Sequence, residues 1–382
     1  MIYLDNNATT RPAPQVVAAM LPYLTECYFN ASAATAAFTG ADKPRRDAAS
    51  AIAKLLNAEE PECFAFTSGA TESNNWVLSS LLQAGAGQQV VISAIEHSSI
   101  SEPAAELARR GFQVIEIPVD EAGVIRLDAL RDSLNAETAL VSIMAANNET
   151  GVLQPIPDIG RLVRGHCPSS LFHTDATQAV GKIPVDLQRD WRDVDYLSFS
   201  AHKYHGPKGI GGLYIRPGCS IPPIIMGGGQ EQGLRSGTTN TPSLAGLAAA
   251  ATDPKDLLAF AKTSQLRDQF ERELQRALPS VVIHSASVSR LPNTSCFSLP
   301  GIIGEDIAHS LARNEIIVGT GSACSSGSIH PPKTLLAMGI DYNLASSTIR
   351  ISMSSDTTQQ ELTTFLATLT RIVSGDQCES VR

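Results

Sequence analysis

The 382-residue sequence predicts an α/β fold, with a large domain on a mainly parallel seven-stranded sheet and a smaller α+β domain after it. Three observations predict it. Short β-rich runs alternate with longer helical patterns from about Glu62 to Arg216. The turns richest in polar, chemistry-bearing residues each follow one of those runs, where parallel sheets gather ligands. Past Asp253-Pro254 the pattern changes to a long amphipathic helix followed by short strands and helices.

Taken in order, residues 1–15 carry no periodic helix and are expected to pack against the smaller domain. The large domain is expected over 16–253. Its strands are expected at 63–67, 89–93, 112–117, 139–145, 170–174, 196–200 and 212–215. Helical patterns such as 71–83 and 99–110 fall between most of them. The smaller domain is expected over 254–382. It opens with a helix over 255–278, with Leu258, Ala261, Leu266, Phe270 and Leu274 at helical spacing. Strands and helices follow at 295–299, 305–313, 316–318, 348–353 and 359–372.

Composition narrows the function. With 43% hydrophobic and 18% charged residues, the chain is not a disordered one. A net charge of −9 argues against nucleic-acid binding by bulk electrostatics. The seven cysteines form no CxxC pair and no zinc-like spacing with histidine. Their odd count and scatter point to a reducing compartment and a cytoplasmic location. The N-terminus has neither the basic nor the apolar region of a signal peptide. The longest small-apolar run, 245–251, is too short to span a bilayer.

Individual motifs each allow two readings. Thr67-Ser-Gly-Ala70-Thr71-Glu-Ser-Asn-Asn75 joins a strand to a helix, and is either an anion site at a helix N-terminus or an ordinary cap. His97 follows a strand, either to stack on an aromatic cofactor and move protons or as a structural residue. Asn147-Asn148-Glu-Thr-Gly151 offers amide donors to a phenolic oxygen or a substrate, or is simply a turn. Asp175, within His173-Thr-Asp175-Ala-Thr-Gln178, is an acid at a strand end or a helix cap; Gln178 points the same way if a helix starts there. Arg235-Ser-Gly-Thr238 is a phosphate contact or a flexible loop. In Gly319-Thr-Gly-Ser-Ala-Cys324-Ser-Ser-Gly-Ser328 a thiol sits among small residues, which favours a reactive role over a structural one. Arg350, in an apolar strand, needs a carboxylate partner from the protein or from an amino-acid substrate.

Lys203, in Ser200-Ala-His202-Lys203-Tyr204, closes an apolar strand and opens a glycine-rich loop. A lysine at the mouth of a buried strand is costly unless its amine does chemistry, and desolvation makes it a competent Schiff-base nucleophile. A lysine that bonds an aldehyde, together with an acid facing a pyridine nitrogen, is what pyridoxal 5'-phosphate (PLP) requires of its protein.

These segments, with Tyr3-Leu-Asp-Asn-Asn-Ala-Thr9 before them, lie in an order that resembles the cysteine desulfurases of the NifS/IscS type. That group belongs to the class V branch of the fold-type I PLP enzymes. The resemblance covers residues 3 to 350. It implies that Lys203 holds PLP and moves protons, that Asp175 keeps the pyridine nitrogen protonated, and that Gln178 bonds the ring hydroxyl oxygen with Asn148 nearby. It implies that His97 stacks on the ring and takes part in proton transfer, and that Ala70, Thr71, Ser200 and His202 line the phosphate site. Thr238 is implied to reach the phosphate of a neighbouring subunit, making the active unit a homodimer. Arg350, with Asn148, is implied to receive the substrate carboxylate. The implied activity is L-cysteine:acceptor sulfurtransferase: L-cysteine becomes L-alanine and its sulfur passes through a Cys324 persulfide, on the loop 319–330, to an acceptor protein. The acceptor is an iron–sulfur scaffold, a tRNA-thiolation protein or a DNA-sulfur-modification enzyme. No metal, membrane or direct nucleic-acid partner is expected.

One segment departs from the family pattern. Members usually carry Asn-Pro-Ser-Ser-x-His near residue 30, where this chain reads Asn30-Ala-Ser-Ala-Ala-Thr35, and 36–44 diverges too. The change bears on the acceptor and the substrate approach more than on the PLP chemistry. Two competing readings are a class V aminotransferase or selenocysteine lyase, which does not need Cys324, and a sulfur-relay or scaffold protein that has lost turnover.

Overall fold

The computed structural model describes residues 1–83, 85, 87–320 and 331–375. Cys324 lies outside the described residues. The first strand, β1 (Ile2–Leu4), is followed by seven that build one sheet: β2 (Phe64–Thr67), β3 (Gln89–Ser93), β4 (Gln113–Ile117), β5 (Thr138–Ser142), β6 (Leu171–Asp175), β7 (Tyr196–Ser200) and β8 (Gly211–Ile215). Their order across the sheet is β2-β8-β7-β6-β5-β3-β4. The strands β4, β3, β5, β6 and β7 are mutually parallel, and only β8 runs against its neighbours.

The sheet is buried on both faces, and the period-2 alternation of a strand divides its side chains between two cores. Val91, Val141, Phe172 and Phe199 face one core with Ile52, Leu56 and Leu247 from the helices Lys43–Leu56 and Thr241–Thr252. Val90, Ile92, Leu140, Tyr196 and Leu213 face the other, with Trp76, Leu78 and Leu107 from the helices Ala70–Ser80 and Ser98–Arg109.

Past the sheet, β9 (Val282–Ile283), β10 (Thr294–Ser298) and β12 (Thr348–Ser352) form a three-stranded antiparallel sheet, and β11 (Ile316–Val318) pairs in parallel with β1. Leu4, Phe270, Leu274, Phe297, Ile349 and Phe365 share a separate core here. The N-terminal strand therefore joins the C-terminal part of the chain, although it precedes the large sheet in sequence.

Element boundaries differ from expectation where tertiary contacts intervene. The expected strand 139–145 ends at Ser142. Its backbone still bonds onward, from Ile143 N–H to His173 O at 3.1 Å and from Ala145 N–H to Asp175 O at 2.9 Å. The expected helix 255–278 is two helices, Lys255–Leu258 and Phe260–Ala277. The first turn is pinned by buried Asp256, which accepts from Ser355 N–H at 2.8 Å and pairs with His205 at 3.1 Å. Residues 177–180 after Asp175 form turns, so no helix starts at Gln178.

Candidate active site

The carboxyl ends of β2, β5, β6 and β7 converge on one cavity of about 290 Å³. Ala70, Thr71, His97, Asn148, Asp175, Gln178, Ser200, His202, Lys203 and Arg350 all line it. Thr238 does not. It is exposed, and it lines a second cavity with Ser68, Arg235 and Asn240. Cys324 cannot be placed, being outside the described residues.

Lys203 follows β7 on a single 3-10 turn, Ala201–Lys203. Its Nζ donates to the main-chain carbonyls of Asn7 at 2.7 Å and Ala8 at 2.9 Å. Those carbonyls belong to the N-terminal segment, which is held against β12 by bonds that include Asn6 Nδ2 to Ser352 O at 2.9 Å and Asn7 N–H to Ser352 Oγ at 2.8 Å.

Asp175 ends β6 and is 5% exposed. One carboxylate oxygen accepts from Asn74 Nδ2 at 2.7 Å and the other from the Thr177 N–H at 2.9 Å. These bonds orient the acid. On the same strand His173 is fully buried, between Ser142 Oγ at 2.8 Å and Ser198 Oγ at 2.9 Å. Burial pulls its imidazole down to about 4, against the pull of Asp175, so His173 is a neutral spacer behind the acid.

The turn after β2 meets β7 closely. Ser200 Oγ accepts the Ala70 N–H at 2.7 Å. A Cβ on Gly211 would lie 2.7 Å from Gly69 Cα and 2.3 Å from Phe199 O, so only glycine lets this turn sit on the sheet end. The helix Ala70–Ser80 starts here, and a helix start leaves its first N–H groups without intrahelical acceptors. His202 closes the same corner, with Nδ1 3.1 Å from Thr9 Oγ1. Burial, then the charges of Lys203, Lys208 and Lys182, pull it down to about 4. It is neutral at pH 7, with a ring N–H to offer.

His97 caps the helix Ser98–Arg109, accepting from Ser99 N–H at 3.1 Å through Nδ1. Arg350 is 3% exposed. Its Nη2 pairs with Asp5 and its Nη1 donates to Asn148 O at 3.0 Å, while its Nε is buried with no partner among the described residues. Asp5 is thus the protein carboxylate that the buried arginine needed.

The residues present fit PLP. An amine, an acid at a strand end, a helix start with a serine and a neutral histidine beside it, and an amide at Gln178 stand around one cavity. The guanidinium carries a donor still unused. Three contributors carried no assigned role in the sequence. Asn7 touches Lys203, Gln178 and Lys182; Asn74 holds Asp175; Lys182 is buried beside Gln178. Asn7 and Asn74 lie within quoted motifs, so position was a signal; Lys182 follows an unremarkable turn and offered none.

Comparison with known proteins gives the chain's family. The chain is 42% identical over 375 residues to cysteine desulfurase 2 of Trichormus variabilis, covering 98% of this chain and 93% of that protein. It matches the solved structure of a NifS-like protein with a TM-score of 0.90 and 38% identity, covering 98% of this chain and 99% of that one. It also matches a structure titled SspA in complex with cysteine, with a TM-score of 0.81 and 31% identity over 93% of this chain and 99% of that one. With the Aminotransferase class-V family model aligning over residues 2–365, the whole described site falls inside the match, and the chain belongs to that family.

Proposed function

We propose that the protein is a PLP-dependent L-cysteine desulfurase that works as a homodimer in the cytoplasm. The observation that carries the reading is the single cavity in which the Lys203 amine, the Asp175 carboxylate and the Arg350 guanidinium meet. The names of the relatives and the cysteine-bound neighbour supply the substrate class.

PLP bound to Lys203 supplies an electron sink that lets the α-proton of an amino acid leave. Asp175, held by Asn74 and Thr177, keeps the ring nitrogen protonated. Ala70, Thr71, Ser200 and His202 bind the phosphate. Gln178 and Asn148 would meet the ring oxygen, His97 would stand beside the ring and take part in proton transfer, and Lys203 would carry protons at the substrate α-carbon. Arg350, with Asn148, receives the substrate carboxylate, offering Nε while Asp5 and Asn148 O hold its other nitrogens. The Cys324 thiol takes the substrate sulfur: the C–S bond of cysteine breaks, an S–S bond forms, and cysteine plus thiol become alanine plus persulfide.

The homodimer is supported by exposed apolar side chains: Phe38 is 94% exposed, Met226 89% and Tyr28 72%. Thr238, exposed and outside its own subunit's cavity, serves the phosphate in the partner subunit. The sulfur acceptor is a protein of iron–sulfur cluster assembly or of another thiolation pathway. A cytoplasmic location is supported by five free cysteines among the described residues. No helix among those residues is long and apolar enough to cross a membrane.

Incubating the PLP-loaded protein with L-cysteine tests the reading. Alanine should form, and one sulfur should be gained on the peptide containing Cys324. Absence of alanine would overturn it. Alanine formation unaffected by Cys324→Ala would favour a lyase that needs no protein thiol.

A further inference from the structure

Lys182 is a buried amine that none of the roles above uses. It is 0% exposed, and its Nζ lies 2.6 Å from Gln178 Oε1 and 3.1 Å from Asn7 Oδ1. Burying an ammonium in a folded core is costly. Burial pulls the amine down to about 7, against the attraction of Asp256 and with the repulsion of Lys203 and Arg350. Its retention in this place calls for a use.

The use lies in the asymmetry of an amide. A lysine amine next to an oxygen acts as donor, so Lys182 selects the Gln178 oxygen and turns the NH2 away from itself. That NH2 donates to Asn7 O at 3.0 Å and has a second N–H, on a residue that lines the cavity. Lys182 is itself held rigidly. Gly181 before it has φ +76°, and a Cβ there would lie 2.5 Å from Tyr204 Cβ. Tyr204 follows Lys203, so one backbone junction seats both lysines.

We propose that Lys182 is the positioning residue for Gln178, fixing its amide so that the NH2, and not the carbonyl, is presented to the cavity. Without Lys182 only the bond to Asn7 O holds the amide's orientation, and the amide can turn over to face the cavity with its oxygen. This inference rests on the PLP reading of the cavity, because the group that needs the donor is the ring hydroxyl oxygen of the cofactor.

The test reconstitutes the cofactor-free protein with PLP and reads two quantities, the absorption spectrum and the apparent dissociation constant. The variants are K182M, K182L and K182A, any one of which suffices if it folds, with K182Q as the conservative rescue. Loss of one donor at the ring oxygen should weaken PLP binding about tenfold. It should also move absorption from the visible towards the near ultraviolet, since an ionised ring oxygen loses its partner. K182Q keeps an amide N–H, one bond shorter than the lysine amine, and should give a band between those of the wild type and K182M. Combining K182M with Gln178→Ala should weaken binding no more than Gln178→Ala alone, because Lys182 acts only through that amide. A folded K182M, K182L or K182A with wild-type spectrum and affinity would overturn the proposal. So would an additive double variant, or a K182Q shifted like K182M. Failure of the underlying reading looks different: the wild-type protein would then stay colourless with PLP.

Discussion

The Lys203 amine stands 2.7 Å from the carbonyl oxygen of Asn7, a residue 196 positions earlier in the chain. Asn7 is 1% exposed and is bonded on every side. Its side-chain oxygen accepts from Lys182 and Asn293, its amide donates to Thr294 Oγ1 at 2.9 Å, and its carbonyl also accepts from Gln178. The N-terminal segment therefore forms one wall of the cavity, joining the loop after β7 to β10 and β12.

Asn7→Ala should cost about 3 kcal/mol of stability, because it leaves the Lys182, Thr294 and Asn293 side chains with unmet buried polar groups. The Lys203 contact, which is to main chain, should survive. Urea denaturation measures the loss, and retention of the PLP absorbance shows that the amine is still in place.

Lys203→Ala should leave a folded protein that takes up no covalently held PLP. Dialysis after reconstitution should remove all visible absorption. A band that survives dialysis would mean that another group anchors the cofactor.

Arg350 and Asp5 are 4% and 15% exposed at their side chains, so each depends on the other. Arg350→Ala should destabilise the protein by about 3–5 kcal/mol by stranding Asp5, as well as raising the KM for cysteine. Pairing it with Asp5→Asn should restore much of the stability and none of the KM. Thermal denaturation and steady-state kinetics on the two variants separate the structural role from substrate binding.

Two buried histidines give the stability profile opposite slopes. His173 is held near 4, below its ordinary 6.5, so the stability from its neutral form is complete above 6.5 and is lost as the pH falls towards 4. Burial alone would lower His205 too, but its bond to Asp256 outweighs that and raises it. Its contribution is complete below 6.5 and is lost as the pH rises through its folded value. In melting curves across pH 4–9 (a range of about five units chosen to bracket these values), His173→Asn should flatten the acid limb. Asp256→Asn should flatten the fall above 6.5.

Gly181→Ala should destabilise by about 3 kcal/mol, from the left-handed backbone together with the clash on Tyr204. Because Tyr204 adjoins Lys203, the variant should also take up PLP more slowly, as stopped-flow absorbance would record.

The sheet was legible because its strands are short, apolar and separated by helices. Each expected strand of 62–216 reappears within a few residues. The residues that end those strands were legible too, since ligands collect at strand ends in parallel sheets. Boundaries failed where a side chain far away in sequence took over. The expected helix 255–278 is interrupted at Ala259, just after the turn that Asp256 ties to His205 and Ser355, and Gln178 sits in a turn whose amide bonds Lys182 and Asn7.

The order and identity of its motifs point to this chain's family and to most of the residues lining its cavity, because polar residue types at strand ends are a local property of the sequence. Which protein groups those residues lean on was decided only on folding. Asp5 for Arg350, Asn7 for Lys203 and Lys182 for Gln178 are choices of partner. A buried polar group takes whichever complementary atom the packing brings within about 3 Å, and no periodicity along the chain encodes that encounter.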